Sequence, residues 1–350
     1  MIRAGIIGFG YMGHFHWNKM KQREDRILPV AVYDTDEGKR NEASAEGMTP
    51  YDSLEKFLAS DIDLVIISTP NQWHKQYAVA AMQAGKHVLC EKPVAMNAAE
   101  MQEILECQRA TGQIFTVHHQ RRHDCDFQVV SQVIASGKIG NVTTIESRVM
   151  GERGVCFGWR ADPESGGGML YDWGVHLIDQ ILRLFQGQTV EYVYARLMSI
   201  LTPAVDDYFE LTLGFRNNVC AKLLVCTFAL EKLPRWFVFG DRGTLKLEDF
   251  TGEAGGAAHI RGEVTGFDSV LGKKNLGPSR TMAPLEPEFL ERIELPKPVD
   301  ETFGFWDNLL GALEGKNEAE VKPEEMLRIM EIVDAAFLSA KENRVVGKQI

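Results

Sequence analysis

The sequence predicts an α/β protein with two different sheets, the first parallel and doubly wound, the second large, open and mostly antiparallel. Three observations support this fold class. Strand-like and helix-like runs alternate over about the first 120 residues, which is typical of a doubly wound sheet. A glycine-rich turn follows the first strand-like run. From Val190 onwards, short strand-like segments follow one another with brief turns between them, which is typical of antiparallel pairing.

The composition restricts the class of protein. The chain has 350 residues, 45% of them hydrophobic, which favours two domains, predicted at 1–120 and 121–350. The formal net charge is −11 without a basic run, so we expect neither nucleic acid nor a membrane surface as a partner. Six cysteines without CxxC or metal-ligand spacing predict free thiols and a cytoplasmic location. We also expect no signal peptide, because the first strand begins at Ile2, and no membrane span, because no apolar run is long enough.

The first predicted strand, 4–7, leads into a glycine turn and then a helix-like segment, 16–23. The turn has the sequence Gly8-Phe9-Gly10-Tyr11-Met12-Gly13. Gly8 permits a tight turn, Gly10 lets a pyrophosphate approach the backbone, and Gly13 lets the helix pack closely. Backbone N–H groups at a helix N-terminus bind anions. The pattern predicts that all six residues hold a dinucleotide, and the alternative is a purely structural turn.

The second strand, 28–33, ends at Asp34, which is 21 residues beyond Gly13. At this distance a dinucleotide fold places the acid that binds the adenosine ribose. A carboxylate accepts a hydrogen bond from a 2′-OH and repels a 2′-phosphate, so NAD is favoured over NADP. Lys39 and Arg40 lie close enough in the sequence to leave NADP open.

The alternation of helices and strands then continues. The predicted helices are 37–46, 53–60, 74–85 and 97–112, and the predicted strands are 64–67, 87–90 and 114–117. With the first two strands, this gives a five-stranded parallel sheet covered by helices.

The second half has a different pattern. After a helix at 127–135, the predicted strands are 142–149, 191–199, 208–215, 219–228, 236–239 and 244–248, with a further helix before the second of them. Residues 251–298 are rich in Gly and Pro and are predicted to form a long loop or excursion. Helices at 302–313 and 324–342 follow, and the last is expected to pack near the first domain. An uncovered apolar sheet face would need a partner subunit, which predicts a homodimer or homotetramer.

Polar residues follow the third predicted strand, at the edge where parallel sheets bind ligands. They are Ser68, Thr69, Pro70, Asn71 and His74. Their position predicts contact with the cofactor, although Pro70 and Asn71 also suit a plain strand-to-helix turn.

Glu91 and Lys92 follow the next strand and reach the same edge of the sheet. We expect both residues to contact the cofactor. An ammonium group that is partly desolvated at the end of a buried strand is suited to polarising a carbonyl or hydroxyl beside the nicotinamide. The alternative is a surface lysine paired with Glu91.

A glycine-rich loop precedes a helix-like segment that contains Asp172 and His176. At a spacing of four residues, the two side chains share one helix face. A histidine near a helix N-terminus favours its neutral form, which suits a general base that accepts a hydroxyl proton. Asp172 is then predicted to orient the histidine or bind a substrate hydroxyl. Alternatively, Asp172 is a cap and His176 a core histidine.

Two other groups are weaker candidates. His119 and His123 are four residues apart, but no third ligand has a recognisable spacing, so we predict no metal site. Arg121, Trp159 and Arg160 are predicted to lie at the domain junction, where arginine binds hydroxyls or carboxylates. A solvated charged loop is the alternative.

Together these motifs resemble the Gfo/Idh/MocA family over essentially the whole chain. The matching segments are the glycine turn with Asp34, STPNQWH at 68–74, EKP at 91–93 and GGGMLYDWGVHLID at 166–179. The resemblance implies an N-terminal Rossmann domain and a C-terminal α/β domain whose open sheet often forms an oligomer interface. It further implies that the protein oxidises or reduces sugars, polyols or their derivatives with NAD(P).

The resemblance also implies roles for individual residues. Lys92 is similar to the family's active-site lysine, Asp172 to its substrate-orienting acid and His176 to its general base. Trp159 and Arg160 are similar to a pair near the nicotinamide or substrate in some relatives. Arg121 and Tyr171 are expected to contact the substrate.

The sequence therefore predicts hydride transfer between nicotinamide and a secondary alcohol or ketone of a carbohydrate-like molecule. Two alternatives stay open. One is a redox-neutral enzyme that oxidises a sugar transiently with bound NAD in order to process a glycoside. The other is a cofactor-sensing regulator without catalysis.

Overall fold

The structure is a computed structural model that describes residues 1–154, 156–262 and 284–350. Its first part alternates strands and helices as the sequence predicts. The elements are β1 (Ile2–Ile7), α1 (Tyr11–Lys21), β2 (Ile27–Tyr33), α2 (Glu37–Ala45), β3 (Thr49–Tyr51), α3 (Leu54–Leu58), β4 (Leu64–Ile67), α4 (His74–Gln83), β5 (His87–Cys90), α5 (Ala98–Thr111) and β6 (Phe115–Val117). The six strands form one parallel sheet in the order β3-β2-β1-β4-β5-β6.

This sheet is buried on both faces. Every residue of β4 has no exposed surface, which is the usual state of a parallel strand between two layers of helices. The strand order changes direction between β1 and β4. Ligands bind outside the carboxyl ends of the strands at such a point, so the topology itself places a binding crevice beside the glycine turn.

The second part is built on a nine-stranded sheet. Its elements are α6 (Cys125–Ala135), β7 (Val142–Met150), α7 (Val175–Leu184), β8 (Val190–Met198), β9 (Tyr208–Phe215), β10 (Cys220–Cys226), β11 (Trp236–Gly240), β12 (Gly243–Leu247), β13 (Gly255–Ile260), β14 (Leu290–Ile293), α8 (Gly304–Leu313), α9 (Pro323–Glu342) and β15 (Val346–Gly347). The strand order is β14-β13-β12-β11-β7-β10-β9-β8-β15. All described neighbours in it are antiparallel except β7 and β10. The predicted fold class is therefore confirmed.

The two faces of the large sheet differ. On β9, Phe209, Leu211 and Leu213 are buried, whereas the alternate residues Glu210 and Thr212 are half-buried. This alternation shows that helices cover one face while the other face is open in the single chain. None of the helices in the described ranges has an apolar stretch of the length that a bilayer crossing requires.

Helix α9 contacts both parts of the chain. The backbone N–H of Ala98, at the start of α5, donates to Oδ2 of Asp334, at 3.0 Å. The N–H of Ala195 in β8 donates to Oγ of Ser339, at 2.9 Å. The last helix thus joins the two sheets, while the domain limits at 120 and 121 stay a prediction.

Several predicted elements differ from the structure. Helix α1 begins at Tyr11 and not at residue 16, because the glycine turn passes directly into it. The short strand β3 was missed, since three residues that include Pro50 show no alternation. The predicted loop or excursion at 251–298 contains β13 and β14, which were missed because β13 has small side chains and weak periodicity. The part of that segment at 263–283 lies outside the described residues.

Candidate active site

A cavity of about 700 Å³ lies at the carboxyl ends of the parallel strands, facing the start of α7. One wall is formed by the glycine turn and the ends of β2 and β4, and the other by side chains from the second part of the chain. All the predicted site residues line the cavity except Phe9, Gly13, His74 and Tyr171.

The glycine turn has the geometry that its spacing predicts. Gly8 adopts a φ of +88°, and its carbonyl oxygen accepts a hydrogen bond of 2.7 Å from Oγ of Ser68. A Cβ at Gly13 would collide with the carbonyl oxygen of Gly8, so only glycine lets α1 pack this closely. A Cβ at Gly10 would have no described atom within 4 Å. Open space therefore lies beside the backbone at the residue expected to face a pyrophosphate.

The N-terminus of α1 is free to bind an anion. No described side chain caps this helix, so the N–H groups of its first turn keep their bonding capacity. Phe9 does not line the cavity, but its N–H donates to Oδ2 of Asp34, at 2.7 Å. Oδ1 of Asp34 accepts from the N–H of Asp36, at 2.9 Å. Both oxygens retain a second lone pair, so the carboxylate is fixed in the cavity wall and still able to accept from a ribose.

His74 does not lie where the sequence predicts. The ring is fully buried, with Nδ1 2.7 Å from the carbonyl oxygen of Pro93 and Nε2 2.9 Å from that of Thr69. It therefore joins two loops beneath the cavity instead of facing a cofactor. Asn71 does line the cavity, and its Nδ2 donates to the carbonyl oxygen of Gly166 at 2.7 Å.

Lys92 and Asp172 form an ion pair in the cavity wall. Nζ of Lys92 lies 2.6 Å from Oδ1 of Asp172 and donates to its carbonyl oxygen at 2.9 Å. Nε of Arg160 lies 3.5 Å from Oδ2. Burial raises the pKa of Asp172, but Lys92 and Arg160 outweigh burial and hold this pKa below its usual range. Asp172 is thus an ionised group that fixes Lys92, and no described hydrogen bond joins it to His176.

Glu91 is held by two buried histidines. Its Oε1 lies 2.7 Å from Nε2 of His16, in α1, and 2.8 Å from Nδ1 of His118, after β6. Burial raises the pKa of Glu91, but His118 and His16 outweigh it and hold this pKa well below its usual range. The cluster ties the end of β5 to both neighbouring elements, and so it also fixes the backbone that carries Lys92.

These three groups are also close enough to be considered as metal ligands. Their ligand atoms all lie within 4.8 Å of one another. Both histidine nitrogens, however, are at hydrogen-bond distance from the same carboxylate oxygen, and this is the geometry of a hydrogen-bonded cluster. The absence of a metal stays a prediction.

His119 and His123, the pair at helical spacing, have separate partners. His119 packs on His176, while His123 contacts two glutamates.

His176 is a buried neutral base in the cavity wall. Its side chain is 2% exposed, and its Nδ1 has no hydrogen-bond partner among the described residues. Burial lowers the pKa of His176, and the charges of Lys92, His119 and Arg121 lower it further, to well below 6.5. The ring of His119 packs edge-on against it, with 5.2 Å between centroids. The neutral form that the sequence analysis predicts is therefore favoured, chiefly because the ring is buried.

The glycine-rich loop explains how α7 reaches the cavity. Gly166 and Gly168 have φ values of +81° and +102°, which favour glycine. A Cβ at Gly168 would collide with the carboxylate of Asp206, whose Oδ2 accepts from the N–H of Leu170 at 2.8 Å. A π-helical turn, Leu170–Gly174, then leads directly into α7. The turn places Asp172 opposite Lys92, and π-turns are frequent at functional sites.

Aromatic and arginine side chains complete the wall. The guanidinium of Arg121 stacks on Trp173, with its Cζ 4.0 Å from the ring centroid, and that of Arg160 stacks on Trp159 at 4.5 Å. Nε of Arg121 is buried without a described partner. Tyr171 is different from its prediction, because it is buried outside the cavity and its hydroxyl donates to the carbonyl oxygen of Met96 at 2.6 Å.

The comparisons with known proteins agree with this architecture. Residues 2–119 match the model of an oxidoreductase family with an NAD-binding Rossmann fold. Residues 127–246 match the model of the GFO/IDH/MocA C-terminal domain. The chain belongs to the Gfo/Idh/MocA family of oxidoreductases. The predicted resemblance is thereby confirmed, and so are the NAD-binding Rossmann fold and the assignment as an enzyme.

Relatives of this Gfo/Idh/MocA oxidoreductase match it along most of its length. The crystal structure of an NAD-binding protein from Listeria innocua is similar with a TM-score of 0.86 and 34% identity, covering 99% of this chain and 97% of that one. The scyllo-inositol 2-dehydrogenase (NADP(+)) IolW of Bacillus subtilis is 26% identical, over 99% of this chain and 95% of its own. An inositol 2-dehydrogenase of Salmonella agona is 29% identical, over 70% and 74%.

Some residues of the cavity wall had no role in the sequence analysis. They are Ile7, Tyr33, Thr35, Trp73, Tyr77, Gln120 and Trp173, of which Trp73 and Trp173 lie within the family motifs. Gln120 follows β6, and its Oε1 is buried without a described partner. Its position after a parallel strand was a usable signal, because the carboxyl ends of all such strands meet at one edge.

Proposed function

We propose that this oxidoreductase transfers a hydride between a nicotinamide cofactor and a secondary alcohol or ketone of a sugar, a polyol or a derivative of one. One observation carries the proposal. The ion-paired ammonium of Lys92 and the neutral imidazole of His176 line the same cavity as the glycine turn and the free N-terminus of α1. Groups for binding a dinucleotide and groups for moving a proton thus share one space.

The residues present fit a dinucleotide. Open space at Gly10 and the uncapped first turn of α1 suit a pyrophosphate. Asp34 suits the ribose hydroxyls, and the buried Oγ1 of Thr69, which has no described partner, offers a further polar contact. When bound, NAD supplies the hydride acceptor or donor of the reaction.

His176 acts as the general base in the direction of oxidation. Its low pKa keeps the ring neutral at neutral pH, so it is able to accept the hydroxyl proton of the substrate. Its burial also keeps water away from the proton that it carries. In the direction of reduction the same ring returns the proton.

Lys92 stabilises the negative charge that develops on the substrate oxygen. The ammonium is held by the carboxylate and the carbonyl of Asp172 before substrate arrives, so little reorganisation is needed. Asp172 is therefore a positioning residue for Lys92, and its second carboxylate oxygen pairs with Arg160. Arg121, Arg160 and Trp159 are suited to the remaining hydroxyls of a carbohydrate-like substrate.

The test is NADH absorbance after mixing the protein and NAD with a panel of polyols, aldoses and sugar acids. We expect a signal from one stereochemical group of substrates, lost in His176→Ala while the Kd for NAD stays unchanged. The half-buried His259, in β13 and outside the cavity wall, provides a matched control, since His259→Ala should retain the signal. Turnover by His176→Ala at the rate of the unchanged protein would contradict the role of His176. A panel that consumes substrate without net NADH would favour the redox-neutral alternative.

We infer a preference for NAD from the surroundings of Asp34. Nζ of Lys39 lies 2.8 Å and 2.9 Å from the carboxylate oxygens of Glu42, which offsets its charge. Nη1 of Arg40 donates to the carbonyl oxygens of Asp34 and Thr35. Lys39 is therefore paired and one nitrogen of Arg40 is engaged, which favours NAD over NADP. One relative is named as an NADP(+) enzyme, so the measurement that decides is the ratio of the Kd values for NAD and NADP.

The open face of the large sheet supports a homodimer or homotetramer. Tyr192 and Phe239 are about two-fifths exposed on the outer face of the large sheet. Analytical ultracentrifugation tests the assembly, and a monomer at micromolar concentration would contradict it.

All six cysteines are free thiols, which supports a cytoplasmic location.

A further inference from the structure

A second cavity of about 400 Å³ adjoins the first one. Arg160, Asp172 and Trp173 line both cavities, so they form the junction. A molecule with its reacting carbon beside Lys92 and His176 therefore has space to extend past Asp172 into this chamber, which we call the side chamber.

The walls of the side chamber are mostly carbon and sulfur. They are formed by the ends of two neighbouring strands, with Val149 and Met150 from β7 and Val225 and Cys226 from β10. Phe250 and Met169 add further apolar surface. Among the described lining residues, the charged groups lie only at the junction and in the exposed pair Glu152 and Arg153.

The backbone holds this chamber in shape. The N–H of Gly151 donates to the carbonyl oxygen of Cys226 at 2.8 Å, and that of Gly154 donates to the carbonyl oxygen of Thr227 at 2.7 Å. Oγ1 of Thr227 donates back to the carbonyl oxygen of Gly154 at 2.6 Å. The loop that closes the chamber is thus fastened to the end of β10 at three points.

The two cavities suit two different kinds of ligand group. Charged side chains in the first cavity satisfy hydroxyls, whereas the side chamber would leave hydroxyls without partners, which is unfavourable. An apolar group gains free energy when it leaves water for such a surface. The rings of Trp173 and Phe250 pack on each other, with 6.0 Å between centroids, and give the chamber an aromatic wall.

We propose that the substrate carries an alkyl or aryl substituent next to its carbohydrate-like part, and that the side chamber binds this substituent. The inference rests on the proposed function for the position of the reacting alcohol. It makes the substrate a glycoside or a related conjugate with an apolar group, and not a bare polyol.

Calorimetry with pairs of compounds tests the proposal. Methyl and phenyl β-glycosides of glucose and galactose are titrated separately into the NAD-loaded protein. For at least one sugar, we expect the phenyl compound to bind about tenfold more tightly than its methyl partner. Val149→Phe fills the side chamber and should abolish this difference, because Val149 pairs with Val225 on the helix-covered face of the sheet. Val142→Phe makes the same change at a half-buried position of β7 outside the chamber, and should retain the difference.

Met169→Trp is a second filling variant for the case in which Val149→Phe fails to fold, because Met169 lines the side chamber and does not line the first cavity. Equal affinity for both members of each pair, including no measurable binding of either, would overturn the proposal. A phenyl preference that survives both filling variants would also overturn it. NADH formation is measured in the same samples, so a phenyl preference without hydride transfer supports the chamber and counts against the proposed function.

Discussion

The two walls of the first cavity are built in different ways. The cofactor wall consists largely of backbone, with Gly8, Gly10 and the first turn of α1 beside the ends of neighbouring strands. The opposite wall consists of side chains, with Lys92 from the first sheet held by Asp172 from the second part of the chain. The first wall has groups that suit cofactor binding, and the second wall has groups that suit proton transfer. Changes on one wall should therefore alter affinity, and changes on the other should alter turnover.

The largest expected effect is that of Lys92→Ala. It removes the group that we propose to stabilise charge on the substrate oxygen, so kcat should fall by about 10²–10³-fold while the Kd for NAD stays unchanged. Steady-state kinetics and fluorescence titration with NAD measure the two quantities. Lys75→Ala, at a half-buried lysine that pairs with Glu103 outside the cavity wall, is the matched control and should change neither. A parallel loss of NAD affinity would show that the walls do not act separately.

Two glycines on the cofactor wall should respond differently to the same substitution. Gly10→Ala keeps a φ of −81° and meets no described atom, so the fold should stay intact while NAD loses about tenfold or more in affinity. Gly13→Ala forces the new Cβ against Gly8 and should cost about 1–3 kcal/mol of stability. Thermal unfolding measures the stability of both variants, and titration measures their affinity for NAD. Equal melting temperatures would refute the packing role of Gly13.

Asp34→Ala should weaken the discrimination against NADP. Without the carboxylate, the repulsion of a 2′-phosphate disappears together with the acceptor for the ribose hydroxyls. We expect NAD affinity to fall and the ratio of NADP to NAD affinity to rise by about tenfold. Titration of both cofactors into both proteins measures the ratio, and an unchanged ratio would remove Asp34 from cofactor selection.

The smallest effect is expected from pH between 6.5 and 8. The pKa of His176 in the folded protein lies well below 6.5, because burial and the nearby charges of Lys92, His119 and Arg121 favour the neutral ring. The ring is then neutral throughout this window. Protonation of His176 should lower kcat/KM for oxidation only when the pH falls well below 6.5. A pH profile of kcat/KM tests this. An acid limb centred at or above 6.5 would contradict the buried environment of the ring.

The same difference between the walls explains what could be predicted from the sequence. The glycine turn works through spacing within one segment, so the turn at Gly8 and the close packing at Gly13 could be predicted. The alternation of strands and helices likewise gave the parallel sheet and the fold class. Weak patterns failed, as in β3 and β13, because small side chains or a proline leave no periodicity to detect.

The side-chain wall was harder to predict because its contacts are not local. The spacing of Asp172 and His176 suggested a pair on one helix face, whereas a π-turn and the packing of two sheets pair Asp172 with Lys92. The cluster of His16, Glu91 and His118 joins three separate segments, and no sequence pattern links them. Tyr171 is next to Asp172 in the motif yet bonds away from the cavity.

The central claim is that the reacting carbon gives a hydride to a cofactor in the first cavity. The most direct test is mass spectrometry of the nicotinamide after incubation with NAD and substrates deuterated at the carbinol carbon. The account predicts deuterium in the reduced nicotinamide with the unchanged protein, and almost none with Lys92→Ala over the same time. Substrate turnover that leaves the nicotinamide without deuterium would contradict it.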